Sequence, residues 1–284
     1  QQSGRTTTIV NVAADIATQS LFNPRVAILD LQLIYPTVQY KFKKESLQTA
    51  KKDIYDLIDD IDVLDEELVK RACHIHEPTG IYIINTPHRS TRNIKPLSEQ
   101  DNLQKLIQFL SEMFDVLLID TSGEIVDAKT SIPMLMSDYN IITFDAEITN
   151  LIHMNKFIQL IRMVEAQTER RIFEKSYFIL NRYHAENDVI TIEQVRDILS
   201  RAESGVDIRM PLHIPYDDKL RYESALGELA VLNEERYSKK KGKTAKESYK
   251  ELSSLLFPVN QVKGGKNISN DEKKKGFLGG LLSK

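Results

Sequence analysis

The chain has 284 residues, of which 41% are hydrophobic and 28% charged, a composition typical of a soluble α/β protein with a sizeable core. Eleven glycines and nine prolines are few, which argues against an all-β fold, and the single cysteine, Cys73, excludes both an intrachain disulfide framework and a zinc site built from cysteines. The net charge of −3 is uneven, because residues 239–284 hold twelve lysines and four acidic residues and so carry +8.

The first residues combine a glycine, a fixed cation and hydroxyl groups, and an apolar helical pattern follows over residues 9–17. In a phosphate-binding loop, backbone N–H groups and the positive end of a helix dipole face the phosphates, and a hydroxyl ligates Mg²⁺. An ordinary helix N-terminal cap uses the same residue types, so these residues alone leave both interpretations open. The residues concerned are Ser3, Gly4, Arg5, Thr6 and Thr7.

Short apolar runs then alternate with helical patterns along the chain. The runs lack the alternation of a half-exposed strand, so we predict an α/β fold with a mostly parallel sheet and helices on both faces. A phosphate loop normally follows a buried strand, so we expect the first strand to lie before Gln1, outside this sequence. The predicted strands are residues 25–30, 81–84, 114–122, 139–144, 175–181 and 210–214. The predicted helices, besides residues 9–17, are two short surface helices within residues 43–73, one helix after residue 122, and residues 98–113, 151–165, 191–200 and 248–257.

Polar side chains stand at the carboxyl ends of three predicted strands, namely Asp30, Asp120 and Asn181. Ligands of parallel sheets bind beyond these ends. Asp120 is suited to hold Mg²⁺ through water, and the Asn181 amide, with one acceptor and two donors, is suited to read an adenine edge. Such residues also cap helices, but their joint order along the chain favours a nucleotide site.

Two smaller clusters have simpler interpretations. His74 and His76 lie beside Cys73 without further ligand residues nearby, so we expect the end of a surface helix here rather than a metal site. The acidic segment 53–67 is expected to be a solvated face, with a partner surface as the alternative.

The order of these motifs resembles that of the MinD/ParA-type ATPases with a deviant Walker A motif. The phosphate loop of that family is similar to residues 1–7, its switch strand to residues 26–32 and its Walker B strand to residues 116–122. Its adenine-side motif is similar to residues 180–183, and its C-terminal Ile-Pro region to residues 213–217.

The resemblance implies a site for ATP or ADP with Mg²⁺. It implies that Thr6 and Asp120 hold the Mg²⁺ ion, directly or through water, and that Asp30 and Gln32 stand at the catalytic switch positions. The residues that it assigns to nucleotide binding are Ser3, Gly4, Arg5, Thr6, Thr7, Asn181, Arg182 and Pro215.

Several departures from the family pattern bear on hydrolysis. Gln32 replaces the second switch aspartate, and an amide can orient water but cannot take a proton. Arg5 replaces the loop lysine with a bulkier, planar cation. Gln1 and Gln2 stand where glycines would let the backbone approach phosphate most closely, and the signature lysine would precede Gln1. We therefore expect nucleotide binding with weak or lost hydrolysis.

The C-terminal residues are similar to the membrane-targeting helix that ends MinD. We expect a nucleotide-binding domain over residues 1–257, a flexible basic linker over 258–275 and an amphipathic tail over 276–284. On a helix the apolar tail residues share one face and contribute at most ~8 kcal/mol, which ordering of the tail partly offsets, so two tails in a dimer should bind far better than one. A solvated, disordered terminus is the alternative. The tail residues concerned are Phe277, Leu278, Leu281 and Leu282.

Degenerate loops of this kind resemble those of TadZ/CpaE-type proteins. The resemblance implies a homodimeric, ATP-dependent localisation factor on the cytoplasmic face of the cell membrane, with pilus- or secretion-assembly proteins as partners. Cysteine usage and the lack of a signal peptide fit the cytosol, and no apolar run reaches the roughly 20 residues that span a bilayer. A MinD-like division-site positioner and a non-hydrolysing interaction scaffold are the alternatives. Nucleic acid binding is not expected, because the acidic body opposes it.

Overall fold

The computed structural model describes residues 3–18, 23–32, 36–86, 99–202, 208–233 and 243–258, and these ranges contain eight strands and nine α-helices. The strands are β1 (Val26–Asp30), β2 (Leu47–Gln48), β3 (Cys73–His76), β4 (Ile81–Ile84), β5 (Val116–Asp120), β6 (Asn140–Phe144), β7 (Ser176–Tyr183) and β8 (His213–Pro215). The helices are α1 (Arg5–Ala17), α2 (Ile54–Asp59), α3 (Glu66–Arg71), α4 (Gln100–Met113), α5 (Ala128–Met136), α6 (Ile148–Thr168), α7 (Ile192–Ala202), α8 (Asp218–Ala225) and α9 (Ala245–Leu256).

The strands form two hydrogen-bonded sheets, in the orders β2-β3-β4-β1-β5 and β6-β7-β8. Strand β1 pairs in parallel with β4 and β5, and β7 pairs in parallel with β6 and β8. Only the β2-β3 and β3-β4 pairs are antiparallel among the described strands. The prediction of a mostly parallel α/β fold is therefore confirmed.

Helices cover both faces of the larger sheet. Strand β1 is buried along its whole length, and successive side chains of a strand point to opposite faces. Val26 and Ile28 pack in one core cluster with α1 and α9, whereas Ala27 and Leu29 pack in another with α2 and α4. A third cluster joins β6 and β7 to α6 and α7. The unbroken apolar sequence of β1 is explained by this two-sided burial.

An open groove separates the two sheets. Strands β5 and β6 are the facing edges, and among the described strands each pairs with a neighbour on one side only. Val116–Ile119 are half-buried, in contrast to the complete burial of β1. The groove encloses about 1090 Å³ and is lined by both edge strands and by apolar side chains of α1 and α9. Near the carboxyl ends of β5 and β6, the groove opens onto Ser3 and Arg5.

The segment from Cys73 to His76 corrects one prediction. It forms strand β3, antiparallel to β4, and not the end of a surface helix. His76 accommodates this position by packing its ring 4.7 Å from that of Phe42, and burial lowers its pKa to about 4. Within the described ranges, no group of three or more His, Cys, Asp or Glu residues is arranged to hold a metal ion.

The acidic segment 53–67 contributes more to the folded structure than predicted. Helices α2 and α3 are the two predicted short helices, but α2 buries one apolar face, whereas residues 44–46 and β2 are not α-helical. Asp53 caps α2 in a capping box with Asp56, and Asp65 caps α3. Several of the acidic residues therefore act as caps rather than forming a purely solvated face.

Candidate functional site

The loop before α1 depends on the absence of a side chain at Gly4. Gly4 is the N-cap residue of α1 and has φ 78°, a left-handed conformation that L side chains rarely adopt. A Cβ atom there would lie 2.1 Å from Asn181 Nδ2. The Asn181 amide donates a hydrogen bond of 2.7 Å to the Ser3 carbonyl, and the Ser3 and Thr143 hydroxyls lie 3.1 Å apart. The ends of β6 and β7 thus hold the loop directly before the helix.

Asn181, which is expected to read an adenine edge, contacts the loop in this structure, and its role toward adenine stays a prediction. It is 2% exposed, its Nδ2 contacts the loop, and its Oδ1 accepts a hydrogen bond from Arg182 N at 2.9 Å. Arg182 has φ 56° and forms an ion pair with Asp145. Pro215, at the end of β8, pairs in register with Tyr183. The structure thus brings Asn181, Arg182 and Pro215 to one end of the sheet, beside the loop.

Thr6 and Asp120 meet across the start of α1. The Thr6 hydroxyl donates to Asp120 Oδ2 at 2.7 Å, so the two residues expected to hold Mg²⁺ are adjacent. Gln32 Nε2 lies 2.9 Å from the same carboxylate oxygen and 3.4 Å from Thr6 Oγ1. The Thr37 hydroxyl is 3.1 Å from Thr6 Oγ1. Parallel pairing of β1 with β5 produces this meeting, because it sets Asp30 opposite Asp120 and so brings Gln32 near.

Asp30 is buried at the end of β1 and hydrogen-bonded to the backbone that follows it. It is fully buried, and its two oxygens accept hydrogen bonds from the backbone N–H groups of Gln32, Thr37 and Val38 at 2.9–3.0 Å. Burial, with the nearby Asp120 carboxylate, raises the pKa of Asp30 to about 6 even though these hydrogen bonds oppose the shift. These hydrogen bonds anchor the segment after β1, and the assignment of Asp30 as a catalytic residue stays a prediction.

Arg5 and Thr7 complete the loop. A Cβ atom on Gly123 would lie 2.0 Å from Arg5 Nη1, so only a glycine at this position leaves room for the guanidinium. Burial raises the pKa of Asp120, and the Thr6 hydrogen bond and the positive charge of Arg5 oppose this shift. Thr7 accepts a hydrogen bond at its carbonyl from the Asn11 side chain at 2.8 Å. Arg5 is therefore beside the carboxylate, at the mouth of the groove between the sheets.

A divalent cation finds two oxygen ligands here, the Thr6 hydroxyl and the Asp120 carboxylate, which is the kind of set that Mg²⁺ uses together with phosphate oxygens and water. These two residues would hold the ion, whose chemistry would be to neutralise phosphate charge. The donor set fits in residue type. In this structure, however, both oxygens already accept hydrogen bonds from the Gln32 amide.

Thr37, Thr143 and Gly123 also contact the site residues but were not predicted from the sequence. Thr143 stands one residue before the end of a predicted strand and Gly123 three residues after Asp120, so both carried the signal of a sheet's carboxyl end. Thr37 follows Pro36 in a predicted loop, and no pattern in the sequence marks its contact with Thr6. The proposed membrane residues Phe277, Leu278, Leu281 and Leu282, and Gln1 and Gln2, lie outside the described residues.

The fold matches solved structures of ParA and MinD ATPases. A ParA family ATPase from Chlorobium tepidum has a TM-score of 0.71 at 18% identity, covering 89% of this chain and 94% of that one. The MinD cell division protein of Aquifex aeolicus has a TM-score of 0.62 at 16% identity, covering 94% and 95%. A plasmid partition protein of Borrelia burgdorferi bound to AMPPNP has a TM-score of 0.60 at 16% identity, covering 91% and 96%.

This likeness defines a class of fold, the P-loop fold of the ParA and MinD ATPases, over nearly the whole chain. At these identities the likeness establishes the fold alone. No protein-family model and no curated protein matches the sequence.

Proposed function

We propose that this chain is an atypical member of the MinD/ParA superfamily that binds ATP and hydrolyses it weakly or not at all. The observation that carries the proposal is the meeting of the Gly4 loop with the Thr6 and Asp120 pair at the start of α1. Backbone N–H groups of the first helical turn have no partner within the helix and face the loop, as phosphate binding requires. A similarly folded partition protein was solved with AMPPNP, which supports a nucleotide in this place.

Weak hydrolysis is supported by the residues at the switch positions. Asp30 is committed to backbone N–H groups, and Gln32 carries an amide, which cannot accept a proton from the attacking water. Of the other carboxylates near the loop, Asp120 accepts hydrogen bonds from Thr6 and Gln32, and Asp145 forms an ion pair with Arg182. The site is suited to hold a nucleotide more than to cleave it.

Equilibrium binding of fluorescently labelled ATP tests the nucleotide proposal. We expect saturable binding by the native chain, and at least tenfold weaker binding by Arg5→Ala, which removes the cation of the loop; this corresponds to about 1.4 kcal/mol or more. Thr168→Ala removes a hydroxyl at the far end of α6 and serves as the control, with unchanged affinity. Absence of saturable binding by the native chain would instead favour the scaffold alternative.

The cellular role that we propose is a nucleotide-dependent dimer on the cytoplasmic face of the membrane, which organises pilus- or secretion-assembly proteins. The apolar and lysine-rich tail sequence supports membrane attachment. Exposed apolar side chains near the site support a second copy, since Val126 is 81% and Ile148, three residues after Asp145, is 64% exposed. No helix of the described residues is long and apolar enough to cross a bilayer.

A further inference from the structure

The side chain of Gln32 lies at the point where a cation would bridge Thr6 and Asp120. Its Nε2 atom is 2.9 Å from Asp120 Oδ2 and 3.4 Å from Thr6 Oγ1. The same carboxylate oxygen accepts the Thr6 hydroxyl at 2.7 Å. One amide nitrogen therefore contacts both oxygens that Mg²⁺ would use.

Gln32 is held in this position from its backbone as well. Its N–H group donates to Asp30 Oδ1 at 2.9 Å, and the other oxygen of Asp30 holds Thr37 and Val38. The Thr37 hydroxyl in turn contacts Thr6 Oγ1 at 3.1 Å. The buried carboxylate of Asp30 thus fixes both ends of the segment that carries Gln32, so the amide contact is part of a built network.

The hydrogen-bonding capacity of Thr6 is fully used in this arrangement. A hydroxyl has one proton and two lone pairs. The Thr6 proton goes to Asp120, and its lone pairs face the Thr37 hydroxyl and the Gln32 amide. A cation that binds the Thr6 oxygen must displace one of these two donors. An N–H donor cannot itself ligate a cation, so Gln32 opposes cation binding unless its amide turns over.

We propose that Gln32 excludes the divalent cation from this site, with its amide in the cation's position between Thr6 and Asp120. The inference rests on the proposed nucleotide function in one respect: ATP then binds with little dependence on Mg²⁺. An aspartate at the same position would remove the competing donor and add a second carboxylate, which creates a site that Mg²⁺ or Mn²⁺ prefers.

Mn²⁺ binding to the nucleotide-free chain, measured by electron paramagnetic resonance, tests the exclusion directly. We expect Gln32→Ala to bind Mn²⁺ at least threefold more tightly than the native chain, and Gln32→Asp at least tenfold more tightly. Gln108→Asp adds the same charge on the exposed surface of α4 and should match the native chain. The alanine variant is decisive, because its affinity falls if the Gln32 carbonyl is a cation ligand and rises if the amide is a competitor.

Equal or weaker Mn²⁺ binding by Gln32→Ala would overturn the proposal, and thermal unfolding of each variant shows whether it is folded. The second measurement is the affinity for labelled ATP with Mg²⁺ and with EDTA. We expect the two affinities to agree within threefold for the native chain and to differ more than tenfold for Gln32→Asp. If the native chain binds ATP at least tenfold more tightly with Mg²⁺ than with EDTA, the proposal is also overturned. If Mn²⁺ affinities follow the expected order while no form binds ATP, the proposed function fails and cation exclusion stands.

Discussion

Single atoms decide whether the loop before α1 can form. Gly4 combines a positive φ with a missing Cβ that Asn181 Nδ2 would otherwise meet at 2.1 Å. Asn181 uses the space that glycine leaves to hold the Ser3 carbonyl. The loop and the end of β7 are therefore interdependent, although 177 residues of sequence separate Gly4 from Asn181.

Gly4→Ala should lower both stability and ATP affinity. The left-handed backbone costs an alanine about 1–2 kcal/mol, and contact with Asn181 adds to this and shifts the loop. Gly80→Ala is the matched control, because Gly80 also has a positive φ, of 69°, but nothing lies within 4 Å of its Cβ position. Chemical denaturation and ATP titration of both variants measure the difference. Equal losses of stability and unchanged ATP binding in both would contradict the proposed contact.

Asp30 makes stability depend on pH in a defined direction. Its pKa of about 6 in the folded chain exceeds the ordinary value of 3.8, so the folded state binds the proton more tightly than the unfolded state. The stabilisation is complete below pH 3.8 and is lost as the pH rises through about 6, on the order of 3 kcal/mol in total. Asp30→Asn lacks this titration.

Unfolding free energies measured for both forms between pH 4 and pH 7 test this effect. The native chain should lose stability relative to Asp30→Asn across that range, even if the variant is less stable throughout because its amide accepts fewer hydrogen bonds. Parallel curves for the two forms would show that burial does not perturb Asp30.

At this scale the sequence predicted residue types better than contacts. Asp30, Asp120 and Asn181 were predicted to stand at strand ends from the apolar runs before them; Asp30 and Asp120 do, whereas β7 continues two residues past Asn181 to Tyr183. Their partners were not predictable, because the Asp30 and Asn181 contacts depend on backbone N–H and C=O groups whose placement no side-chain pattern encodes. Each of the two residues supports a loop through these contacts.

The sheet edges are the notable feature at the scale of elements. Strands β5 and β6 each present one unpaired edge to the same groove, and the apolar side chains of β5 remain half-buried. Unpaired edges are templates for a further strand. The groove leads to Ser3, so a segment joined to Gln1 could enter it from the loop.

An extended apolar segment fused before Gln1 should therefore pair in the groove. We expect a six-residue extension of alternating valine and isoleucine to raise the thermal midpoint by several degrees, because it buries apolar surface of β5 and β6. A serine-glycine extension of equal length is the control, with no rise. Identical midpoints for the two fusions would show that the groove does not accept a strand.

Strand β3 was mispredicted although a signal was present. The sequence from Glu77 to Gly80 contains a proline, ends in glycine and precedes the apolar run of β4. The His76 carbonyl accepts the N–H groups of both Thr79 and Gly80. This is the pattern of a hairpin turn. The histidines obscured it, because polar residues in a four-residue strand look like the end of a helix.

The whole molecule combines an acidic body with a basic C-terminal segment. Net charge is −3 overall and +8 over residues 239–284. Attraction of the basic segment to anionic lipid weakens as salt screens it, whereas apolar insertion does not.

The order of elements and the parallel sheet were predictable from sequence at this scale, since they follow from alternating apolar periods. The strands that flank the open position, β5 and β6, were not predictable, since the order of strands in a sheet depends on pairing between strands distant in sequence.

Vesicle co-sedimentation tests the proposed membrane attachment. We expect the chain to pellet with phosphatidylglycerol vesicles at low salt, and less at 0.5 M salt or with phosphatidylcholine alone. A chain that ends at Gly276, and the double variant Phe277→Asp, Leu281→Asp, should stay in solution. Equal pelleting of all forms would remove the tail from the account.

The most direct test of the central claim is the fate of ATP bound to the native chain. Equilibrium dialysis of radiolabelled ATP, with the bound nucleotide identified by chromatography, measures binding and cleavage in one sample. We predict one saturable site per chain, with the bound label still mostly ATP after an hour. No saturable binding, or bound label recovered mainly as ADP, would contradict a site kept to hold the nucleotide more than to cleave it.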